Sequence, residues 1–339
     1  MEKRRNDGME NIIRTENLTK IYGGNIRAIE NINIEIEEGE VYGLLGPNGA
    51  GKSTTINILT TRLSPTSGKA KVAGYDIIKD SPKVRKIIGV VPQDLTADED
   101  LTGSENLKLV SRFYDIPRLK AQERITKLLE LVELDESANR YVRQYSGGMR
   151  KRLELVTGLI NEPKILFLDE PTLGLDVQTR SQMWKYVREI QETLNVTIIL
   201  TSHYLEEVDA LADRISIIDH GKILVTDSPS QLKSNLKGDM IQLAAKNREE
   251  RDLLKTYPGA LEVKNDSEET GVLLKVNSSD DELPGLMKFI SERNIGITRI
   301  TIHKPSLDEV FLEYTGRDIR EQEAEDSRKT MINMRRLRN

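Results

Sequence analysis

The segment that most constrains the fold is a glycine-rich turn, Gly46–Gly51, which separates two regular patterns. Before it lies Val41–Leu45, an apolar run of strand length, and after it a helical pattern begins at about Lys52. A sharp turn from a buried strand directly into a helix is typical of a parallel sheet that helices cover. The sequence therefore predicts an α/β domain, and further strand-sized apolar runs follow at residues 87–91, 165–168, 196–200 and 215–218.

The composition excludes several classes of protein. None of the 339 residues is cysteine, so disulfide frameworks, zinc fingers and cysteine nucleophiles are excluded. A net charge of −5 and an aromatic content of 4% do not suit binding to nucleic acid, and we expect none. No apolar run approaches the roughly 18–20 residues of a membrane span, and the N-terminus lacks the apolar core of a signal peptide. We expect a soluble, cytoplasmic chain that acts at a membrane only through a partner.

The patterns divide the chain into four parts: an N-terminal tail (1–9), a large α/β domain (10–235), a small domain (239–316) and a charged tail (317–339). Within the large domain, residues at about 100–161 change to a helical pattern and predict an inserted helical subdomain. Near its start, Asn31–Glu37 alternates polar and apolar residues, which predicts a half-buried strand. The C-terminal tail predicts solvated helix or disorder, and contact with lipid headgroups or a partner is the alternative.

The small domain shows a defined order of elements. Strand, helix, strand, strand, helix and strand patterns occur at residues 241–245, 247–256, 261–264, 272–276, 281–294 and 297–302, and a short helix follows at 307–314. This βαββαβ order predicts a ferredoxin-like α+β fold. We expect a packing and dimer-stabilising module, with the binding of a regulator as the alternative.

The glycine-rich turn also carries a chemical pattern. Residues 46–53 fit G-x-x-x-x-G-K-S/T in the required setting of strand, turn and helix. The glycines let backbone N–H groups converge on phosphate oxygens, and the helix that opens at Lys52 adds the positive end of its dipole. Lys52 supplies charge for the β- and γ-phosphates, and Ser53 supplies a hydroxyl ligand for Mg²⁺. The predicted nucleotide-binding residues here are Gly46, Pro47, Asn48, Gly49, Ala50, Gly51, Lys52, Ser53 and Thr54.

A pair of carboxylates follows the apolar run at residues 165–168. Asp169 is suited to hold Mg²⁺, directly or through water, and Glu170 is suited to orient and deprotonate an attacking water. Alone, such a pair is most often a solvated turn at a strand end. Together with the phosphate-binding turn, the pair predicts a nucleotide-hydrolysing site.

A second glycine turn, Ser146-Gly147-Gly148, stands directly before a helical pattern that runs to Ile160. Such a turn also binds anions at a helix N-terminus. One γ-phosphate cannot easily touch both turns within one subunit. We therefore expect a head-to-tail dimer, in which the second turn of each subunit caps the nucleotide of the other.

With these features, residues 10–235 resemble the ATP-binding cassette (ABC) ATPases. Ser146-Gly147-Gly148 matches the core of the family's signature motif, although Tyr145 and Met149 depart from its commonest flanking residues. The form Tyr-Ser-Gly-Gly-Met-Arg is similar to that of ABC-2-type exporters, including daunorubicin-resistance-like ATPases. The segment Lys304–Arg317 is similar to the closing motif of those chains.

The resemblance implies roles for four residues outside the main motifs. Tyr22 matches the aromatic residue that stacks on adenine, and Gln93 matches the glutamine that reaches Mg²⁺ and the attacking water. Asp176 matches the D-loop aspartate, and His203 matches the switch histidine that contacts the γ-phosphate. Three of these residues have a structural alternative: Tyr22 as a strand-end aromatic, His203 as a structural histidine, and Asp176 as a helix cap.

The resemblance implies an ATPase subunit of an ABC exporter, with ATP and Mg²⁺ as cofactors and a separately encoded membrane permease as partner. The subunit would form a homodimer, or a dimer with a related ATPase, at the inner face of the membrane. The alternatives are a soluble ABC ATPase acting on ribosomes or DNA, and an importer ATPase. The implied catalytic residues are Glu170, His203, Lys52 and Gln93, and the implied metal ligands are Ser53, Gln93 and Asp169.

Overall fold

The computed structural model describes residues 11–236, 238–266 and 268–316, so the predictions for the tails lie outside the described residues. The described residues form two compact units, one of residues 11–229 and 314–316 and one of residues 230–313. The division predicted from the sequence at residues 235–239 stays a prediction. Within the described ranges, no helix is both long and apolar enough to cross a bilayer.

The first unit contains two sheets. Its strands are β1 (Asn11–Tyr22), β2 (Ile26–Ile32), β3 (Glu35–Glu37), β4 (Val41–Leu45), β5 (Ser67–Val72), β6 (Tyr75–Asp76), β7 (Ile88–Val91), β8 (Ile165–Asp169), β9 (Thr197–Ser202), β10 (Arg214–Asp219) and β11 (Lys222–Asp227). Its helices are α1 (Lys52–Leu59), α2 (Ser81–Ile87), α3 (Gly103–Phe113), α4 (Arg118–Leu131), α5 (Gly147–Thr157), α6 (Val177–Leu194) and α7 (Leu205–Leu211).

The central sheet has the strand order β11-β10-β4-β9-β8-β7. The five strands from β10 to β7 are parallel, and β11 is added antiparallel at the edge. Every residue of β4 and β9 is buried, as expected for strands that are covered on both faces, and the buried residues of β9 include Thr197, Thr201 and Ser202. The α/β fold expected from the short apolar runs is confirmed. Because the strands are parallel, their carboxyl ends lie at one edge of the sheet, next to α1 and α7.

The second sheet is antiparallel, with the order β2-β1-β5-β6 and β3 also paired to β1. The prediction of one strand over Asn31–Glu37 is wrong, because the segment is divided between β2 and β3. Asn31 has a left-handed φ of 52°, and the Thr15 hydroxyl donates to Ile32 O at 3.0 Å and accepts from Ile34 N at 2.8 Å. The side chain of Thr15 thus replaces regular strand pairing at the break. Burial still alternates along the segment, as the pattern of isoleucines requires.

The second unit follows the predicted order of elements. It contains β12 (Asp239–Ala245), α9 (Arg248–Leu254), β13 (Glu262–Asn265), β14 (Gly271–Val276), α10 (Ser279–Glu292) and β15 (Ile297–His303); α8 (Pro229–Asn235) precedes them and α11 (Leu307–Thr315) follows. All neighbours in its sheet, β13-β14-β12-β15, are antiparallel. This confirms the ferredoxin-like order. A separate apolar core that includes Leu243, Leu274 and Phe289 holds sheet and helices together.

Candidate nucleotide site

The phosphate-binding turn joins β4 to α1, as the sequence predicts. Gly51 stands at the N-cap of α1 with a φ of 110°, and a Cβ there would lie 2.6 Å from Ala28 O. Only glycine fits a position that combines this conformation with such close packing. Lys52 is 4% exposed, and its Nζ donates to Gly46 O at 2.6 Å and to Pro47 O at 3.1 Å. The turn therefore keeps the ammonium group folded over its own backbone, where phosphate groups are expected to bind.

The turn is also fixed to the two sheets. The backbone N–H of Gly221, at the tip of the β10–β11 hairpin, donates to Ala50 O at 3.0 Å. The carbonyl of Gly221 accepts from Glu30 N, on β2, at 2.8 Å. The phosphate-binding turn, the hairpin tip and the antiparallel sheet are thus hydrogen-bonded to one another.

Five side chains meet beside this turn at the carboxyl end of β8. Ser53 Oγ donates to Asp169 Oδ1 at 3.1 Å. Glu170 lies between two basic groups: its Oε1 is 3.4 Å from Lys52 Nζ, and its Oε2 is 3.2 Å from His203 Nδ1. Glu170 and His203 are each 7% exposed. The structure thus brings Lys52, Ser53, Asp169, Glu170 and His203 together, although they come from three distant parts of the chain.

The surroundings of Glu170 favour its ionised form. Burial raises the pKa of this carboxyl, but the hydrogen bond with His203 and the charge of Lys52 outweigh burial, and the pKa is lowered from 4.5. The residue is a carboxylate at neutral pH, so it can accept a proton. It also has a left-handed φ of 50°, directly after the end of β8.

The oxygen atoms beside the turn suit Mg²⁺. This ion prefers a few hard oxygen ligands and keeps the rest of its shell for phosphate and water. Ser53 and Asp169 offer a hydroxyl and a carboxylate oxygen within 3.1 Å of each other. Among the described residues, no group of three or more His, Cys, Asp and Glu side chains could hold a metal by themselves. The hydroxyl of Ser53 and the carboxylate of Asp169 fit an Mg²⁺ ion that takes its other ligands from phosphate and water.

Two predicted contacts lie at the edge of the site. Tyr22, the last residue of β1, is 42% exposed, and Lys20 Nζ lies 5.4 Å from its ring centroid. Gln93 is exposed two residues after β7. In the described part of the chain, no hydrogen bond joins either side chain to the cluster around Glu170. Their nucleotide contacts stay predictions.

The second glycine turn forms the start of α5. Ser146 is the N-cap and its Oγ accepts from Met149 N at 3.3 Å, and Gly147, the first residue of α5, is exposed. A Cβ on Gly148 would lie 2.6 Å from Thr179 Cγ2 on α6. Asp176 is the N-cap of α6 and accepts from Thr179 N at 2.9 Å. The structure thus shows the capping role of Asp176, and its predicted contact with nucleotide stays a prediction.

Sequence reasoning missed Thr201. The Oγ1 of this buried residue of β9 donates to Asp169 Oδ1 at 2.6 Å and accepts from Glu170 N at 3.1 Å. It therefore orients both members of the carboxylate pair. The available signal was its place at the end of an apolar run, two residues before His203.

A glycine turn that surrounds a buried lysine, beside an Asp-Glu pair at the end of another parallel strand of the same sheet, defines a P-loop ATPase. The family model "ABC transporter" matches residues 29–173, and the model "ATP-binding protein DrrA1-3-like, C-terminal domain" matches residues 228–315. The chain belongs to the ATP-binding proteins of the ABC transporter family. It binds and hydrolyses ATP.

Individual relatives extend this likeness over almost the whole chain. The daunorubicin/doxorubicin resistance ATP-binding protein DrrA of Streptomyces peucetius is 37% identical over 318 residues, which are 93% of this chain and 96% of the relative. The linearmycin resistance ATP-binding protein LnrL of Bacillus subtilis is 35% identical, over 91% of this chain and all of the relative. A solved dimeric ATP-binding cassette, MJ0796 bound to ADP and Pi, is 28% identical with a TM-score of 0.58, over 64% of this chain and 98% of that one.

Proposed function

We propose that this chain is the ATPase subunit of an ABC-2-type exporter and works with a separately encoded membrane permease. The observation that carries the proposal is the large share of the chain over which its relatives are similar to it. Relatives named for resistance to daunorubicin and linearmycin match more than nine-tenths of the chain, including the C-terminal unit, which also matches a family model of its own. A likeness limited to the cassette would fit importers equally well.

ATP binding is proposed to use the phosphate-binding turn and the edge of the antiparallel sheet. Adenine stacks on Tyr22, the backbone N–H groups of residues 46–54 surround the phosphates, and Lys52 neutralises their charge. Lys52 is already held over the turn by two carbonyl oxygens, so little side-chain ordering remains for binding. Mg²⁺, held by Ser53, Asp169 and Gln93, would neutralise charge on the β- and γ-phosphates.

Hydrolysis is proposed to depend on the pair formed by Glu170 and His203. The carboxylate of Glu170 accepts a hydrogen bond from the attacking water, and His203 holds that carboxylate from one side at 3.2 Å. His203 then faces the γ-phosphate, and Gln93 completes the positioning of water. Catalysis of this kind consists mainly of positioning and electrostatic stabilisation, as in other phosphoryl transfers.

A dimer is proposed to complete each site. Ser146 and Gly148 of one subunit would contact the γ-phosphate bound by the other, because a capped helix start offers free backbone N–H groups to an anion. Asp176 would lie at the same interface. The dimeric cassette of known structure supports this arrangement. Closing and opening of the dimer would drive the permease, and the subunit would sit at the inner face of the membrane through that contact.

The test is co-purification followed by a transport assay. The tagged Glu170→Gln chain is extracted in mild detergent with ATP, and the proteins bound to it are identified. We expect a polytopic membrane protein without a phosphate-binding turn of its own. The pair is then placed in inside-out vesicles, where an exporter accumulates its substrate in the lumen. The wild-type chain provides turnover, and Lys52→Ala is the matched control, since it docks with the permease but does not hydrolyse ATP.

Two outcomes would contradict the proposal in different ways. Ribosomes or DNA-repair proteins without any membrane protein would leave the ATPase chemistry standing but overturn transport. A membrane partner that moves substrate out of inside-out vesicles would indicate an importer.

A further inference from the structure

The segment that follows Gln93 is fastened to the helix that begins at the second glycine turn. Lys151 Nζ on α5 donates to Gln93 O at 2.8 Å. Glu154, one turn further along α5, accepts three hydrogen bonds from the same segment: from Thr96 N at 2.5 Å, from Ala97 N at 2.7 Å and from the Thr96 hydroxyl at 2.8 Å. The contacts join residues that are 57 or 58 positions apart in sequence.

Burial makes these contacts strong. Glu154 is 2% exposed and Lys151 is 8% exposed, so neither charge is fully hydrated. A buried carboxylate is stable only when its oxygens are hydrogen-bonded, and backbone N–H groups are good partners for it. Residues 92–100 belong to no strand or helix, and the bonds to α3 begin only at Asp98, whose N donates to Asn106 Oδ1 at 2.8 Å and whose O accepts from Asn106 Nδ2 at 3.0 Å. The conformation of the part from Gln93 to Ala97 therefore depends on α5.

A third side chain on the same side of α5 extends the attachment. Arg150 forms an ion pair with Glu99, and its Nε donates to Tyr145 O at 3.3 Å. Residues 150, 151 and 154 are spaced one, three and four apart, so they lie on one side of the helix. This side of α5 contacts the segment from Gln93 to Glu99, and Ser146 is the N-cap of the same helix.

We propose that Glu154 is a positioning residue: it ties the segment after Gln93 to α5, so that Gln93 is placed at its own nucleotide by the helix whose Ser146 serves the nucleotide of the other subunit. This inference rests on the proposed roles of Gln93 and Ser146. Movement of α5 on closure of the dimer then shifts Gln93 at the same time. Each subunit thereby links the two composite sites to which it contributes.

The first test measures the attachment itself, without nucleotide. Hydrogen exchange is followed at the amides of Thr96 and Ala97 in the full chain. We expect Glu154→Ala to speed their exchange at least about tenfold, since two buried hydrogen bonds are lost. Glu154→Gln keeps a side-chain oxygen for both amides and should retain most of the protection. The matched control is Glu105→Ala, which removes a carboxylate that accepts from Thr102 N at 2.9 Å in the capping box of α3 but makes no link to α5.

The second test asks whether Glu154 acts through Gln93. We expect Glu154→Ala to lower kcat about tenfold or more, with the Kd for ATP unchanged, because small displacements of a positioned group have large effects on rate. In a Gln93→Ala background the same substitution should change kcat less than about twofold, since residues that act as a unit are not additive. Lys151→Met, which leaves Glu154 in place, should behave in the same way, and it replaces Glu154→Ala if that variant does not fold.

The outcomes separate the inference from the proposed function. Equal losses of kcat in both backgrounds, or unchanged exchange at Thr96 and Ala97, would overturn the role of Glu154. Full activity of the Gln93→Ala single variant would instead contradict the proposed role of Gln93. Loss of activity in Gln93→Ala, with normal activity in Glu154→Ala, would refute this inference alone.

Discussion

Glu40 immediately precedes β4, the strand that leads into the phosphate-binding turn. Its surroundings allow a prediction of how the free energy of unfolding depends on pH. Its side chain is 9% exposed. Glu37 N donates to Oε1 at 3.0 Å, and Arg214 Nη1 lies 3.4 Å from Oε2. Burial raises the pKa of Glu40 from 4.5 to about 7, and the charge of Arg214 and the bond from Glu37 oppose this only in part.

The sign of the effect follows from where the proton is bound. The folded pKa lies above the unfolded pKa, so the folded protein keeps a proton that the unfolded chain has already released between pH 4.5 and pH 7. The free energy of unfolding therefore falls as pH rises through this range. Each pKa unit is equivalent to about 1.4 kcal/mol, so the ionisation of Glu40 lowers the free energy of unfolding by about 3 kcal/mol in total above pH 7. About 2.5 kcal/mol of it develops between pH 5 and pH 8.

Glu40→Gln tests this reasoning, because glutamine still accepts from Glu37 N but carries no charge. We expect its stability relative to the parent to rise by about 2.5 kcal/mol from pH 5 to pH 8. Urea unfolding followed by fluorescence of Trp184 measures it, since this is the one tryptophan of the chain and lies on α6 in the same unit. Glu38→Gln removes an exposed carboxylate nearby and controls for net charge. If the difference in free energy of unfolding between the variant and the parent is constant, or shrinks as pH rises, then burial does not outweigh the charge of Arg214 and the reasoning is refuted.

Three further predictions concern the site and the two units. Glu170→Gln should bind ATP and accumulate a closed dimer while turnover falls about 10²–10⁴-fold; size-exclusion chromatography and phosphate release measure both, and wild-type turnover would remove Glu170 from its role. Thr201→Val should lower the free energy of unfolding by about 1–3 kcal/mol, because the hydroxyl's hydrogen bonds with Glu170 N and Asp169 Oδ1 are both lost; a chemical denaturation curve that matches wild type would contradict this. Deletion of residues 239–339 should leave the Kd for ATP unchanged in calorimetry, and a well-folded truncation without ATP binding would show that the predicted boundary is wrong.

The central sheet and the C-terminal unit could be predicted because their strands follow simple patterns. A strand buried on both faces is largely apolar, as β8 is up to Asp169, and short runs rich in apolar residues indicate β12 and β14. The antiparallel sheet could not be predicted in the same way. Its longest strand, β1, has register shifts against β2, β3 and β5, and Asn17 within it has a left-handed φ of 47°. Such irregularities break the period of two on which a strand prediction depends.

The centre of the site was predictable from motif and topology together. Parallel strands end at one edge of the sheet, so Ser53, Asp169 and His203 had to come near one another once their strands were recognised. The attachment of Gln93 to α5 was not predictable. Glu154 lies in an amphipathic helix where a carboxylate is ordinarily a solvated residue, and only the structure shows that it is buried against Thr96 and Ala97.

The hydrogen bonds of Gly221 have a mechanical consequence. They join the phosphate-binding turn, through the hairpin tip, to the sheet whose first strand ends at Tyr22. The two proposed contacts with ATP, one with the base and one with the phosphates, therefore lie on parts of the protein that hydrogen bonds hold together. ATP binding at this site then requires no change in the relative position of the base and phosphate contacts. The conformational change on dimer closure falls on the segment that is tied to α5.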